Sequence, residues 1–505
     1  MNALPPVARL DLTDLFLKQV RIQPDAPAVC DARQVVTYRE LEARVQRWHT
    51  LLAQRGLQRG QRLALWSENR NEYLELQLAA ARMGLIVACL NWRLQGDEQL
   101  HCIRLVRPAL VVVSDRYRPA LQALPLEDVP VLALDGAKEE LQGLPPTPPQ
   151  GTAIDPESGF LILYTSGTTG LPKGALVSQR AMVARAQAFI AEYGLRREDG
   201  FIAWSPFFHM AATDHALATL LLGAQVHVQD GFSAPEICRT LEEARIGWLL
   251  AMPGVIEPLI AELRSRPHAL QGVRMVGAMA DLVPRQQVAE LTTLLQAPYL
   301  NTFGSTETGL APASGHLLPV GEPPATLAKR EFGWCRIRLV DLDGRDVPDG
   351  TPGHMLVRGP SVFSGYWEGD GYDASELADG WFHMGDTFVR RLDGSLDFVD
   401  RSKYLIKTGG ENVYPAEIER VLLSHPDVAE VAVVRRPDAR WGEVPVAFVA
   451  LKEGEPSAEA LQAWCRERLA GYKVPREVRF LEAAAFPRNS TGKIQKNQIE
   501  ALLAR

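Results

Sequence analysis

Apolar positions in the first 320 residues fall into two alternating rhythms. Short unbroken runs, Arg62-Leu63-Ala64-Leu65-Trp66, Ala109-Leu110-Val111-Val112-Val113 and Val129-Pro130-Val131-Leu132-Ala133-Leu134, have the length and composition of buried strands. Longer amphipathic stretches of helical period lie between them. Strand and helix alternating in this way predict layered α/β sheets. From about 333 to 400 short strands separated by Asp343-Gly344, Asp349-Gly350 and Asp393-Gly394 predict a small β-rich part. The last hundred residues carry an α+β pattern of their own. A helix is expected over 415–424, strands over 428–435 and 444–451, and then a helix with Leu461, Trp464, Cys465 and Leu469 on one face. The expected domains are therefore 1–400, with its β-rich part at about 333–400, and 401–505.

Composition narrows the classes. A chain of 505 residues exceeds the ~250–300 at which single cores stop growing. Its 46% hydrophobic content suffices for real cores, and its formal net charge of −7 argues against a nucleic-acid or anionic-membrane partner. Six cysteines (Cys30, Cys89, Cys102, Cys238, Cys335 and Cys465) lie far apart with no CxxC pair, which suits neither a zinc site nor a disulfide framework. Arg9, Asp11 and Asp14 precede any long apolar run, so no signal peptide is visible. Nothing approaches the ~18 apolar residues of a membrane span. A cytoplasmic protein is expected.

The most telling segment is Thr165-Ser166-Gly167-Thr168-Thr169-Gly170-Leu171-Pro172-Lys173, which follows the strand-like run Phe160-Leu161-Ile162-Leu163-Tyr164. Glycines let backbone N–H groups turn inward, hydroxyls add donors, and Lys173 adds charge, so the loop can wrap an anion. The spacing is not that of a Walker loop, because Pro172 stands where its glycine would be. Phosphate binding is the expected role, against the blander alternative of a polar surface loop. Four further segments carry chemistry-bearing residues: Asn301-Thr302-Phe303-Gly304-Ser305-Thr306-Glu307-Thr308, Trp381-Phe382-His383-Met384-Gly385-Asp386, the stretch from Asp400-Arg401-Ser402-Lys403 through Gly409-Gly410-Glu411-Asn412, and Pro487-Arg488-Asn489-Ser490-Thr491-Gly492-Lys493.

In this order, together with Asn91-Trp92-Arg93-Leu94 and Trp204-Ser205-Pro206-Phe207-Phe208-His209-Met210, the segments resemble the adenylate-forming superfamily, and within it the acyl-CoA synthetases. The resemblance runs nearly end to end. It implies a large N-terminal α/β domain, a small mobile C-terminal domain, and an ATP-dependent acyl-CoA ligase working through an acyl-adenylate with ATP, Mg2+ and CoA. It further implies that Thr165, Ser166, Gly167, Thr168, Thr169 and Lys173 cradle the β- and γ-phosphates, that Glu307 holds Mg2+, and that Thr306 bonds the α-phosphate. Phe303, where relatives more often have Tyr, would stack on adenine beside Gly304, and Asn301 with the backbone at Gly277 and Ala278 would line adenine and the acyl carboxylate. Asp386, assisted by Arg401, would bind ribose, although Met384 replaces the usual Thr. Lys493 would be the catalytic lysine of adenylation. Rotation at the hinge Lys403, followed here by Tyr404 where relatives often carry an acid, would exchange it for Gly409, Gly410 and Glu411 at a pantetheine tunnel that Trp441 also contacts.

For the acyl pocket the resemblance implies His209, Met210, Ala211, Ala251, Thr302 and Leu310. These are mostly small or apolar, which suits a fatty (medium- or long-chain), cyclic or aromatic acid. Thr213 or Asp214 is expected to cap a helix over 216–222. Two alternatives stay open. One is an acyl-AMP ligase loading a separate carrier protein; the other is a nucleotide-binding regulator without catalysis. The expected partners are the small-molecule carboxylic acid, ATP and CoA, with a homodimer left open.

Overall fold

The computed structural model describes residues 10–94, 96–126, 129–146, 154–165, 171–377, 379–401, 404–408, 411–452, 454–488 and 494–504. The chain divides into two compact units, Met1–Ile337 with Val357–Phe382, and Arg338–Leu356 with His383–Arg505. The β-rich stretches at 338–356 and 383–400 thus group with the residues beyond 400.

In the first unit one sheet is parallel through strands Val131–Ala133, Leu110–Val113, Arg62–Trp66, Ile86–Cys89 and Gly159–Thr165, in that spatial order. Antiparallel strands Lys173–Ser178, Gly365–Glu368 and Gly371–Asp373 complete it. The apolar runs read from the sequence fall on these strands, and their unbroken character follows from burial on both faces, as at Leu110–Val113. A second sheet runs parallel through Val273–Val276, Ile246–Leu249, Gly200–Ala203 and Val226–Val228, with antiparallel edge strands at Leu317–Leu318 and Val35–Thr37. Helix Met210–Leu222 packs against helix Gln179–Tyr193 and strand Gly200–Ala203. It is buried from Met210 to Leu221 and has no polar face, which is the pattern of a helix enclosed on all sides.

In the second unit strands Glu411–Val413, Ile406–Thr408, Gly442–Leu451 and Val428–Asp438 form an antiparallel sheet, and Glu477–Phe480 adds in parallel. The two-residue period of a strand divides its side chains. Val431 and Val433 join helix residues Ile418, Leu422, Leu461 and Cys465 in one core, while Ala432 and Val434 join Phe486 and Ile499 in another. Helix Pro415–Leu423 starts on proline, whose missing N–H costs nothing in a first turn. A four-stranded sheet of Arg336–Val340, Pro352–Arg358, Phe382–Arg390 and Leu396–Arg401, its last two strands antiparallel, lies largely in this unit. Among the described residues no helix is long and apolar enough to cross a membrane.

Candidate active site

Strands Gly159–Thr165 and Lys173–Ser178 pair so that Thr165 faces Lys173, which closes the base of the glycine loop. The lysine therefore opens a return strand and not a helix. Ser166, Gly167, Thr168 and Thr169 lie outside the described residues. So do Lys403, Gly409, Gly410 and Lys493, and the side chains of Arg401 and Glu411.

Lys173 reaches toward the ribbon of antiparallel strands Gly304–Ser305 and Gly309–Pro312, whose turn carries Glu307. Its Nζ sits 4.5 Å from the centre of the Tyr366 ring and 3.4 Å from Glu376 Oε1. The Tyr366 hydroxyl donates to Glu307 Oε1 at 2.7 Å. Burial, and then the Glu307 charge, push the Tyr366 phenol far above its usual range, so it remains a donor. The backbone on both sides of Glu307 is anchored as well. Phe363 N donates to Glu307 O at 2.7 Å, and Arg185 Nη2 donates to Thr306 O at 2.9 Å. Glu307 is 8% exposed and, among the described residues, its second carboxylate oxygen makes no hydrogen bond. A single carboxylate held this way fits Mg2+, which commonly takes one or two carboxylates plus phosphate oxygens. Phe303 and Thr306 are half-buried and Gly304 is exposed. A Cβ on Gly304 would run into the carbonyl of Gly309 across the ribbon, so only glycine closes it.

The turn after strand Val273–Val276 is pinned at successive backbone groups. Trp248 Nε1 donates to Gly277 O and Tyr299 OH donates to Ala278 O, each at 2.8 Å. Met279 N donates to Thr302 Oγ1 at 3.1 Å, and Ala280 N donates to Asn301 Oδ1 at 3.2 Å. Gly277 has φ +101° and Met279 φ +47°, a left-handed pair that these bonds hold in place. Asn301 is wholly buried: its Nδ2 donates to Leu327 O at 2.9 Å, and its Oδ1 also accepts from the buried Lys329 Nζ at 2.8 Å. Lys329 in turn pairs with Asp281 at 2.5 Å. Asn301 thus shapes this wall through the turn it holds.

Helix Met210–Leu222, which carries residues expected in the acyl pocket, begins earlier than the sequence predicted. His209 is its N-cap, with Nδ1 accepting from Ala211 N at 3.2 Å, so the expected caps Thr213 and Asp214 lie inside the helix. Tertiary partners claim their side chains. Thr213 Oγ1 lies 2.7 Å from Gln77 Nε2, and Asp214 Oδ2 accepts from Arg185 Nη1 at 3.0 Å. Arg185 Nε donates to Ser361 O at 3.0 Å, so one guanidinium ties the helix to both the Glu307 ribbon and the 361 loop. Arg185 and Asp214 side chains are each 4% exposed. Met210, Ala211, Ala251 and Thr302 are buried and Leu310 is half-buried. A small cavity of about 10 Å³ lies between Leu310, Ala311, Phe189, Asp214 and Ser361.

In the second unit Asp386 and Arg401 are register partners on antiparallel strands, and Asp386 is buried. The neighbouring Asp400 Oδ2 accepts from Ala416 N at 2.7 Å, placing its charge at the N-terminus of helix Pro415–Leu423. Arg488 and Ile494 form an isolated antiparallel bridge on either side of 489–493. Lys496 pairs with Glu419 at 2.7 Å, its Nζ lying 5.1 Å from the Tyr404 ring centre. Burial alone would lower the Lys496 pKa, but Glu419 and Asp400 outweigh it and raise the value. Trp441 is half-buried, with the Arg440 and Arg476 guanidinium carbons 4.7 and 5.9 Å from its ring centre.

Tyr366, Arg185, Asp281 and Lys329 are the residues that sequence reasoning missed. Tyr366 alone had a local cue, an aromatic directly after Gly365 at the start of a short strand.

The family model for AMP-binding enzymes matches residues 16–367, and that for the AMP-binding enzyme C-terminal domain matches 417–493. The chain belongs to the AMP-binding enzyme family. It is 34% identical to an indoleacetate–CoA ligase of Aromatoleum aromaticum, over 98% of this chain and 99% of that protein. With a feruloyl-CoA synthase of an Amycolatopsis species it shares 32% identity, over 96% and 97%. Among solved structures, ATP-bound MatB from Rhodopseudomonas palustris superposes with a TM-score of 0.84 at 28% identity, covering 98% of this chain and 99% of that one.

Proposed function

We propose that this member of the family is an ATP- and coenzyme A-dependent ligase for an aromatic or cyclic carboxylic acid. The acid's carboxylate attacks the α-phosphate of ATP and expels pyrophosphate; the thiol of coenzyme A then attacks the acyl-adenylate carbonyl and expels AMP. The observation that carries this reading is the convergence of Lys173, Tyr366 and Glu307 at the mouth of the glycine loop. The first step gathers several negative charges, and preorganised cations and donors are what lower its barrier. Glu307, with one oxygen fixed by Tyr366, would present the other to Mg2+, which supplies charge at the departing phosphates. Lys173 and the loop hydroxyls would hold the β- and γ-phosphates. Asp386 would hold ribose, Lys493 would bridge the acid and the α-phosphate, and Trp441 would meet the coenzyme. The small, apolar wall of Met210, Ala211, Ala251 and Leu310, together with the substrates named for the relatives, favours the aromatic branch over the fatty one.

A panel of aryl, alicyclic, fatty and amino acids, assayed for ATP-dependent pyrophosphate release with and without CoA, tests this. Aryl acids should release pyrophosphate fastest and yield the acyl-CoA by mass. Best turnover with acetate or an amino acid overturns the acid class. Adenylation without transfer to CoA, but with transfer to a carrier protein, establishes the carrier-loading alternative.

A further inference from the structure

The cavity beside Leu310 has a polar end that nothing in the reaction so far uses. Arg185 spends three of its five N–H groups there, on Asp214 Oδ2, Thr306 O and Ser361 O. Thr308 Oγ1 is spent on Ala311 O and His215 Nδ1 on Ala211 O. Two buried atoms keep unused capacity: among the described residues Asp214 Oδ1 and Ser361 Oγ have no hydrogen-bond partner, on residues 4% and 3% exposed. Both line the cavity. A buried carboxylate oxygen left without a donor bears its full desolvation cost, and an apolar pair of similar shape would fill the same space without it. Such a group asks for a partner. The void admits about one water-sized group, too little for a ring and enough for the polar tip of one.

We propose that this cavity is the far end of the acyl site, and that Asp214 Oδ1, with Ser361 Oγ, receives an N–H or O–H carried on the acid's ring away from its carboxylate. The proposal rests on the ligase reading and names the substrate class within it: a ring acid with a distal hydrogen-bond donor. A second carboxylate at that end is disfavoured, because it would meet the Asp214 carboxylate that already balances the Arg185 charge. The apolar lining, Phe189, Leu310 and Phe332, accommodates the edge of the ring.

Two substrate series test it through kcat/KM for pyrophosphate release. One compares indole-3-acetate with its N-methyl derivative; the other compares 4-hydroxyphenylacetate, phenylacetate and 4-carboxyphenylacetate. In the unmodified enzyme the donor-bearing acids should lead their donor-less counterparts by about tenfold or more, with the dicarboxylate last. Asp214→Leu, close in shape, should bring the donor preference to about one and raise the dicarboxylate above phenylacetate, since Arg185 loses its counter-charge. Ser361→Ala should narrow the preference by only a few-fold. Should Asp214→Leu fail to fold, the unmodified enzyme and Ser361→Ala still decide. Equal kcat/KM within both series means that the cavity holds water only and overturns the proposal, as does a donor preference that survives in Asp214→Leu. Phenylacetate turnover without any donor preference leaves the ligase reading standing, whereas no pyrophosphate from any acid overturns both.

Discussion

The turn at 277–280 and the wall around Arg185 belong to the same unit and are both built from buried polar groups, yet they are satisfied differently. At the turn, Gly277 O, Ala278 O, Met279 N and Ala280 N each have a partner, and Lys329 is locked between Asp281 and Asn301. Around Arg185 the cation bonds Asp214 Oδ2, Thr306 O and Ser361 O, but among the described residues Asp214 Oδ1 and Ser361 Oγ have no partner. A wall whose polar groups bond one another presents only shape, and it presents the same shape to every substrate. A wall with unspent acceptors discriminates, because it rewards a ligand that brings the missing donor. Under the proposed function the first arrangement would suit the nucleotide, which all turnovers share, and the second the acid, which differs among relatives. Disturbing the turn should therefore cost all acids alike, and disturbing the acyl wall should reorder them.

The largest effect is expected at Gly277. Its φ of +101° is costly for any other residue, and a Cβ would run into the Tyr299 ring. Gly277→Ala should lose about 3–5 kcal/mol of stability from backbone strain and overpacking. Pyrophosphate release should fall on the order of a hundredfold for every acid, in proportion. Denaturant melts and a three-acid panel check this. A selective loss for one acid would break the division between the two walls.

Tyr366→Phe removes a single hydroxyl. Glu307 then loses a charge-assisted hydrogen bond worth about 1.5–3 kcal/mol, while the ring under Lys173 remains. Pyrophosphate release should drop about ten- to a hundredfold at low Mg2+ and recover partly as Mg2+ is raised, with ratios between acids unchanged. A drop that ignores Mg2+ would detach Tyr366 from the carboxylate's task.

How far these residues were visible in the chain depends on the range of the interaction. Strand Arg62–Trp66 was legible to the residue, and helix 415–423 nearly so, because apolar period and proline placement act locally. The start of helix Met210–Leu222 was misjudged for a local reason. Thr213 and Asp214 are residue types that favour caps, yet here distant partners, Gln77 and Arg185, hold their side chains. Tyr366 and Glu307 are 59 positions apart, and Arg185 and Asp214 are 29 apart. No periodicity links such pairs. Lys329 in Ala328-Lys329-Arg330-Glu331 reads as part of a solvated charge run, and only the fold buries it. The glycine loop, Glu307 and Asp386 were proposed for the site because they sit in short motifs that carry the resemblance, whereas the residues that bond to Glu307 come from other elements.

On the acyl wall, Ala211→Phe should sort acids by size. Ala211 is buried in the first turn of its helix. A phenyl group there fills space an acid would use, at about 0.8 kcal/mol per displaced methylene. Bulky ring acids should lose about tenfold in kcat/KM and short ones little, with the KM for ATP unchanged. An equal rise in the KM for ATP would place Ala211 on the nucleotide side.

The smallest effect concerns protons. His215 lies between the rings of Phe189 and Trp248, each 4.5 Å away centre to centre, with Nδ1 2.8 Å from Ala211 O. Burial pushes its pKa down to about 3, below the value near 6.5 of an exposed histidine. Between those values the unfolded chain holds a proton that the folded chain does not, so stability must fall as pH drops from about 6.5 toward about 3, and must be flat above. His215→Phe keeps an aromatic ring between Phe189 and Trp248 and removes the titration. Near pH 8 the variant should be less stable by about 1 kcal/mol, the value of the lost bond to Ala211 O. As pH falls from 7 to 4 this gap should close and then reverse, because only the unmodified protein must strip a proton to fold. Urea midpoints at several pH values measure both slopes together, so that the carboxylates common to the two proteins cancel. Parallel slopes would mean that His215 is charged in the folded state, and a charge next to Asp214 would change which ring substituents this wall accepts.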